Sequence, residues 1–233
     1  DLLKTAWALY TKHFNTLVPI MLIAGIGMYL QCLFLFLGGP TPTGVYALLI
    51  LISAVLYIIG SIWGIAALLN KFTKLDQPMT VGQAFSAAKP FLWPIILTGI
   101  LVFIFTLIGL ILVIIPGIIV GVWLSMAMFV VVNEHKKGME AVKQSKEYVR
   151  GYWWAVFGRL VLITLIMIII SMIVGALSQA ILGVKWGTLI QNIVGLILVP
   201  FVLLYEFELY KNLRSVKSGT TAPPVAPAAP ATV

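Results

Sequence analysis

Charge is what this sequence has least of. Only 22 of its 233 residues are acidic or basic, 9% in all, where a water-soluble domain carries roughly 25%. So few charges cannot coat a globule in water, which excludes a soluble enzyme, and the apolar content excludes a disordered chain. Cysteine is limited to Cys32, so there is no disulfide framework. Histidine occurs only at His13 and His135, with no cysteine or carboxylate cluster near either in the sequence, which provides no metal site. No serine is matched by a histidine–carboxylate set, and no glycine-rich phosphate loop opens a helix. The sequence predicts neither an enzyme nor a cofactor.

What is present is hydrocarbon. Apolar residues make up 61% of the chain and the mean hydropathy is +1.10. A helix crosses a bilayer with about 20 mostly apolar residues, and six stretches meet or approach that length, at about 17–38, 45–69, 91–115, 117–133, 153–177 and 188–210. Of all the charged residues only Arg159, Glu206 and Glu208 fall inside them. Backbone polar groups in lipid must be satisfied within the segment, and the alternation of a membrane barrel is absent. The expectation is an all-α, polytopic membrane protein with six transmembrane helices in three hairpins. The domain would run over 1–217, and 218–233 would be a Pro/Ala-rich disordered tail or linker.

The remaining charge has a side. Thirteen of the fifteen basic residues lie before the first span, in the second and fourth connections, or after the last span, and only Lys185 lies in another connection. By the positive-inside rule both termini are cytoplasmic. The net charge of +8 is then a topology signal read by anionic lipid headgroups, not by nucleic acid.

Each basic segment before an odd-numbered span carries an amphipathic helical pattern suited to the headgroup layer. Leu3, Trp7, Tyr10 and Phe14 form the first stripe. Residues 80–88 form the second, opened by a Thr80–Gln83 capping box. Val142, Ser145 and Val149 form the third, opposite Glu140, Lys143, Gln144 and Glu147. Surface helix, outgoing span, tight turn and returning span would recur three times, with Lys12-His13-Phe14 laid over Arg150-Gly151-Tyr152.

Small residues at helical spacing, Gly60 and Gly64 in the second span and Gly117, Gly121 and Ser125 in the fourth, point to close helix packing. Pro116-Gly117 is read as the turn between spans three and four. Trp93, Trp153 and Trp154 mark the inner interface and Trp186 the outer. Ionisable groups within spans are costly and hence functional candidates. Arg159, six residues past Trp153, and Glu206, four residues before Tyr210, fall at similar depth. They are expected to pair, with Glu134 as the other possible acid and Glu208 reaching for the interface.

The run PGIIVGVWLSMAMFVVVNE from Pro116 to Glu134, followed by Ala141, Ser145 and Gly151-Tyr152-Trp153-Trp154, resembles the glycerophosphoryl diester phosphodiesterase membrane-domain family and related prokaryotic six-span proteins. In these the Pro-Gly turn, a tryptophan (here Trp123), a Val-Val-x-Glu-like end and a Ser…Gly-x-Trp surface helix recur. The resemblance implies a prokaryotic inner (plasma) membrane protein. Some members carry a soluble phosphodiesterase domain after the spans, and none of its catalytic residues stands here to be carried over.

The functional expectation is a non-catalytic membrane module that anchors or organises lipids or partners at the cytoplasmic leaflet, monomeric or weakly self-associating. The alternative is a small transporter or lipid-handling protein with a polar cleft near Arg159. A protein partner, or a soluble domain beyond these residues, stays open. The topology has a direct check: a reporter fused at position 41 or 116 should report the compartment opposite to one fused at 137, and agreement between them would reject it.

Overall fold

The computed structural model describes residues 2–38, 44–112 and 114–219, and among these there is no strand. The helices are α1 (Leu2–Lys12), α2 (Phe14–Ala24), α3 (Ile26–Gly38), α4 (Val45–Thr73), α5 (Val81–Leu112), α6 (Ile114–Leu124), α7 (Ala127–Glu134), α8 (Met139–Val149) and α9 (Trp153–Lys217). The tail from residue 220 and the connection at 39–43 lie outside the described residues. Four stretches are long and apolar enough to cross a membrane: α4, α5, residues 114–134 across α6 and α7, and α9. The bent pair α2–α3 makes a fifth.

Where helices begin, bend and reverse follows from single residues. A 48° bend separates α2 from α3 at Gly25, where Leu196 of α9 occupies the space that a Cβ would fill. The expected straight span 17–38 is therefore two helices. The helix α9 runs over 65 residues and reverses at Gly183, whose φ of 76° and ψ of 166° belong to a region that L side chains avoid. Its two limbs lie antiparallel: Ser178 Oγ donates to the Gly187 carbonyl at 3.1 Å and Gln191 Nε2 to Ser171 Oγ at 3.2 Å. One glycine thus does what a ten-residue connection at 178–187 was expected to do.

Two further expectations change. Residues 81–88 do not form a separate surface helix but are the first turns of α5, which continues through Pro90 and Pro94. The capping box does open it: Thr80 N donates to Gln83 Oε1 at 2.9 Å and Gln83 N to Thr80 Oγ1 at 3.3 Å. In the turn before Pro90 two carbonyls are taken by α4, that of Phe85 by Trp63 Nε1 and that of Ala87 by Asn70 Nδ2, each at 2.9 Å. Outside donation to the carbonyls of the turn before a proline helps a membrane helix carry it without breaking. Pro116-Gly117 lies inside the first turns of α6 rather than forming the turn itself, consistent with proline's tolerance of a helix start.

The protein packs on itself at its basic end and leaves the rest to lipid. Buried side chains concentrate at 66–72, 126–132 and 201–213. Large apolar residues along α3, the start of α4, the end of α5 and the first limb of α9 are exposed, among them Leu51, Phe103 and Ile181. Only 6% of the most apolar window of α4 is buried in the protein, against 44% for residues 114–134, so α6 and α7 form the central strut.

Small residues set the close approaches, and these are between helices of the same chain. Gly60 abuts the Ala24 carbonyl, and a Cβ on Gly64 would meet that of Ala24 at 2.5 Å. A Cβ on Gly109 would fall 2.8 Å from the Cα of Gly117, so α5 and α6 touch there through backbone, while Gly121 meets only Thr106 at ordinary contact distance. Ser125 donates to the Val122 carbonyl at 2.8 Å where α6 ends. At Gly27 a Cβ would lie 2.7 Å from the Ser53 oxygen and the Leu56 carbonyl carbon of α4. The substitution Gly27→Ala should therefore cost roughly 1–3 kcal/mol by forcing packed backbones apart. At Gly82, where a Cβ meets open space, alanine should be neutral or stabilising by up to about 1 kcal/mol. Denaturation in detergent micelles followed by circular dichroism distinguishes them, and equal effects would contradict this packing.

Candidate functional site

Helix α8 follows the stripe that its sequence lays down. Ala141, Val142, Ser145, Tyr148 and Val149 are buried, while Glu140, Lys143, Lys146 and Glu147 are exposed. Two of its buried polar groups fix it to the strut. Ser145 Oγ donates to the Trp123 carbonyl at 2.7 Å and accepts from Met126 N at 3.2 Å, so it satisfies both backbone groups freed where α6 breaks before α7. Tyr148 OH donates to Glu134 Oε1 at 2.6 Å.

Glu134 is the hub. Its Oε1 also accepts from Tyr210 OH of α9 at 2.8 Å, and its Oε2 lies 3.2 Å from Lys136 Nζ. Lys136 in turn donates to Gln144 Oε1 at 2.8 Å. Around the hub Phe129, Phe207 and Tyr210 stack, with Tyr148 edge-on to Tyr210. Burial, reinforced by the adjoining carboxylate, pushes the Tyr148 phenol above its usual pKa, so it stays a donor.

With α8 held this way its basic side chains gather over Trp123. Lys146 Nζ lies 4.6 Å from the centre of the indole ring, a cation–π distance. Lys143, Lys146 and Arg150 line a groove of about 660 Å³ with Trp123 and Glu147, and Arg150 is 3.7 Å from Glu147. Two apolar grooves leave the same tryptophan. One, about 560 Å³, runs past Ile115, Ile119, Trp154 and Phe157. The other, about 420 Å³, runs between α5 and α6 past Phe105, Ile108 and Val120. A positive shelf opening into two hydrocarbon channels is a shape and charge pattern suited to a two-chain anionic amphiphile.

The other predicted residues fall elsewhere. Arg159 and Glu206 form no ion pair. They do sit level across the α9 hairpin, but the side chain that meets Arg159 is Tyr205, whose hydroxyl donates to the Arg159 carbonyl at 3.4 Å. Glu206, one residue and about 100° further round the helix, faces a cavity between the limbs. Glu134 is engaged by its tyrosines and lysine, not by Arg159. Glu208 does not reach into solvent: it is buried and pairs with Lys211 at 2.8 Å. Of the interface tryptophans, Trp93, Trp154 and Trp186 are exposed, as anchors require. Trp153 is instead packed, stacking on Phe157 and donating to the Ile119 carbonyl at 3.3 Å. His13 lies between α1 and α2, where burial, with Lys71 and Lys12 nearby, lowers its pKa and favours the neutral ring.

Sequence reasoning passed over Tyr148, Tyr210 and Lys71. The first lies on the buried stripe of α8, three residues past Ser145, which is a readable signal. The buried Lys71 donates to the carbonyls of Lys74, Leu75 and Gln77 at 3.2, 3.1 and 2.6 Å, closing the end of α4. Nothing in its sequence context distinguishes it from a solvated lysine.

No family model matches the chain, and no solved structure matches it. A UPF0259 membrane protein of Pectobacterium carotovorum subsp. carotovorum is 31% identical over 136 residues, covering 57% of this chain and 52% of that protein. The chain thus spans about half the length of the curated relative it matches. The similarity supports a multi-pass membrane protein of bacterial type, and not the glycerophosphoryl diester phosphodiesterase membrane domain.

The hub gives a stability test. Glu134→Leu leaves two tyrosine hydroxyls without their acceptor and Lys136 without its ion-pair partner, and should cost roughly 2–4 kcal/mol. Glu134→Gln keeps an acceptor and should cost less. Equal melting of both variants and the parent protein would show the hub to be idle.

Proposed function

We propose that this protein is a six-crossing module of the prokaryotic inner membrane, without catalytic activity of its own, that holds anionic phospholipid where α8 packs over α6. Both termini then face the cytoplasm, and each limb of α9 crosses separately. The observation that carries the reading is the junction at Trp123, where Lys143, Lys146 and Arg150 meet the two apolar grooves. A phosphate sits among the cations while its two acyl chains straddle α6. The position of the other carboxylates supports a structural rather than catalytic use of charge: Glu134 binds two tyrosines and Glu208 a lysine.

Magnitudes decide how selective such a site is. Each basic residue near a membrane surface contributes about 1 kcal/mol toward anionic lipid. Glu147, beside Arg150, offsets one of the three. The net of about 2 kcal/mol corresponds to roughly a 30-fold preference for a charged over a zwitterionic headgroup.

A second reading, a lipid-handling or transport protein with a polar cleft, has one observation in its favour. A cavity does lie between the limbs of α9, and Glu206 lines it; Arg159 is not among its lining residues.

Native mass spectrometry from an equimolar mixture of phosphatidylglycerol and phosphatidylcholine tests the proposal. Retained lipid should be enriched about 10- to 30-fold in phosphatidylglycerol. The triple variant Lys143→Gln, Lys146→Gln, Arg150→Gln, confined to exposed side chains, should melt normally and lose the enrichment. An unchanged lipid ratio in that variant would refute it.

A further inference from the structure

The cavity between the limbs of α9 is half open, has a volume of about 340 Å³ and is lined by hydrocarbon, with Met167, Ile170 and Val174 on one side and Val194, Leu198 and Val202 on the other. Its polar residues are Gln191 and Ser171 at one end and Glu206 at the other, and the 15 residues from Gln191 to Glu206 span about 22 Å at a helical rise of 1.5 Å. The two ends differ in kind. Gln191 Nε2 donates to the hydroxyl and the carbonyl of Ser171 at 3.2 and 3.4 Å, so that end is internally satisfied and neutral. Glu206 has no hydrogen bond and no ion pair among the described residues, and neither nearby cation reaches it. Lys211 is held by Glu208, and the Arg159 side chain is exposed and outside the cavity.

A carboxylate with an apolar wall and no partner is costly, and what relieves it, short of taking up a proton, is a positive charge delivered with hydrocarbon attached. A bare metal ion does not suit: hard cations require six or more oxygen ligands, and one carboxylate with a distant, engaged amide does not supply them. An anionic or neutral amphiphile leaves the charge uncompensated. We propose that this cavity binds a long-chain cationic amphiphile, an alkylamine or alkylammonium, with its charged head on Glu206 and its chain lying along the slot toward Gly183. Glu206 lies near the level of Tyr210 and the basic end, so the head stays close to the membrane surface while the tail follows the hairpin inward. This site rests on residues separate from those around Trp123 and is selective for the opposite charge.

The test uses the full chain in nanodiscs of phosphatidylcholine alone, which offer the Trp123 site no anionic lipid. Radiolabelled dodecylamine is equilibrated with loaded and empty discs. One saturable site per protein is expected, absent for dodecanoate and weak for dodecanol. Glu206→Gln should weaken binding at least ten-fold and Glu206→Asp should retain most of it. Gly195 lines the slot, and a Cβ there meets open space, so Gly195→Phe should fill the slot and abolish binding with the carboxylate intact. Circular dichroism melts confirm that each variant is folded. Non-saturable uptake, or amine binding unchanged in Glu206→Gln, overturns the proposal, as does binding that survives Gly195→Phe, which would place the amine on an exposed carboxylate instead of in the slot.

Discussion

The carboxylate of Glu134 is the contact on which the functional end of this protein depends. A carboxylate at the close of a long apolar helix stands where water gives way to hydrocarbon, and it is tolerable only if its oxygens are occupied. Tyr148 brings α8, Tyr210 brings α9 and Lys136 brings the connection between α7 and α8. Helices α8 and α9 and the connection after α7 thus share one pair of oxygens. Because Tyr148 and Ser145 lie on the same stripe of α8, satisfying Glu134 and the α6–α7 break at once leaves that helix a single rotation. That rotation turns Lys143, Lys146 and Arg150 outward over Trp123.

The rest of the fold divides according to which solvent completes it. At the basic end the protein buries its own side chains, and polar groups there find protein partners, as Lys71 does with three carbonyls and Asn70 with α5. Toward the opposite end, contact passes to small residues and to lipid. Gly27, Gly60 and Gly109 let backbones touch, and the large apolar side chains face outward. Within hydrocarbon there is no hydrophobic gain in turning them inward, so close backbone packing holds the helices instead.

Much of this was legible in the sequence, because it rests on local composition. The apolar runs located the long apolar helices, the stripe Val142, Ser145 and Val149 identified the buried face of α8, and Thr80 with Gln83 marked the start of α5. Axial depth was legible too: Arg159 and Glu206 do lie level across their hairpin. Azimuth was not. Whether Tyr205 or Glu206 meets Arg159 depends on how two limbs rotate about each other, which is set by packing along the whole hairpin. Breaks were likewise obscure. The helix α5 runs through Pro90 and Pro94 without a break, whereas the unremarkable Ser125–Met126 is a true break because Ser145 arrives from 20 residues on to complete it. Gly183 reverses the chain in a place where composition suggested a longer loop.

What is proposed at α8 and Trp123 is one lipid site and not a diffuse basic surface. Its most direct measurement is mapping by a photoactivatable phosphatidylglycerol with the reactive group on an acyl chain, in membranes containing the intact protein, with adduct positions read by peptide mass spectrometry. Adducts should cluster on α6 and its flanking residues along the two grooves, and an identically labelled phosphatidylcholine should not reproduce the cluster. Adducts spread evenly over the exposed apolar faces of α3, α4 and α9, or an identical pattern from both lipids, would contradict it.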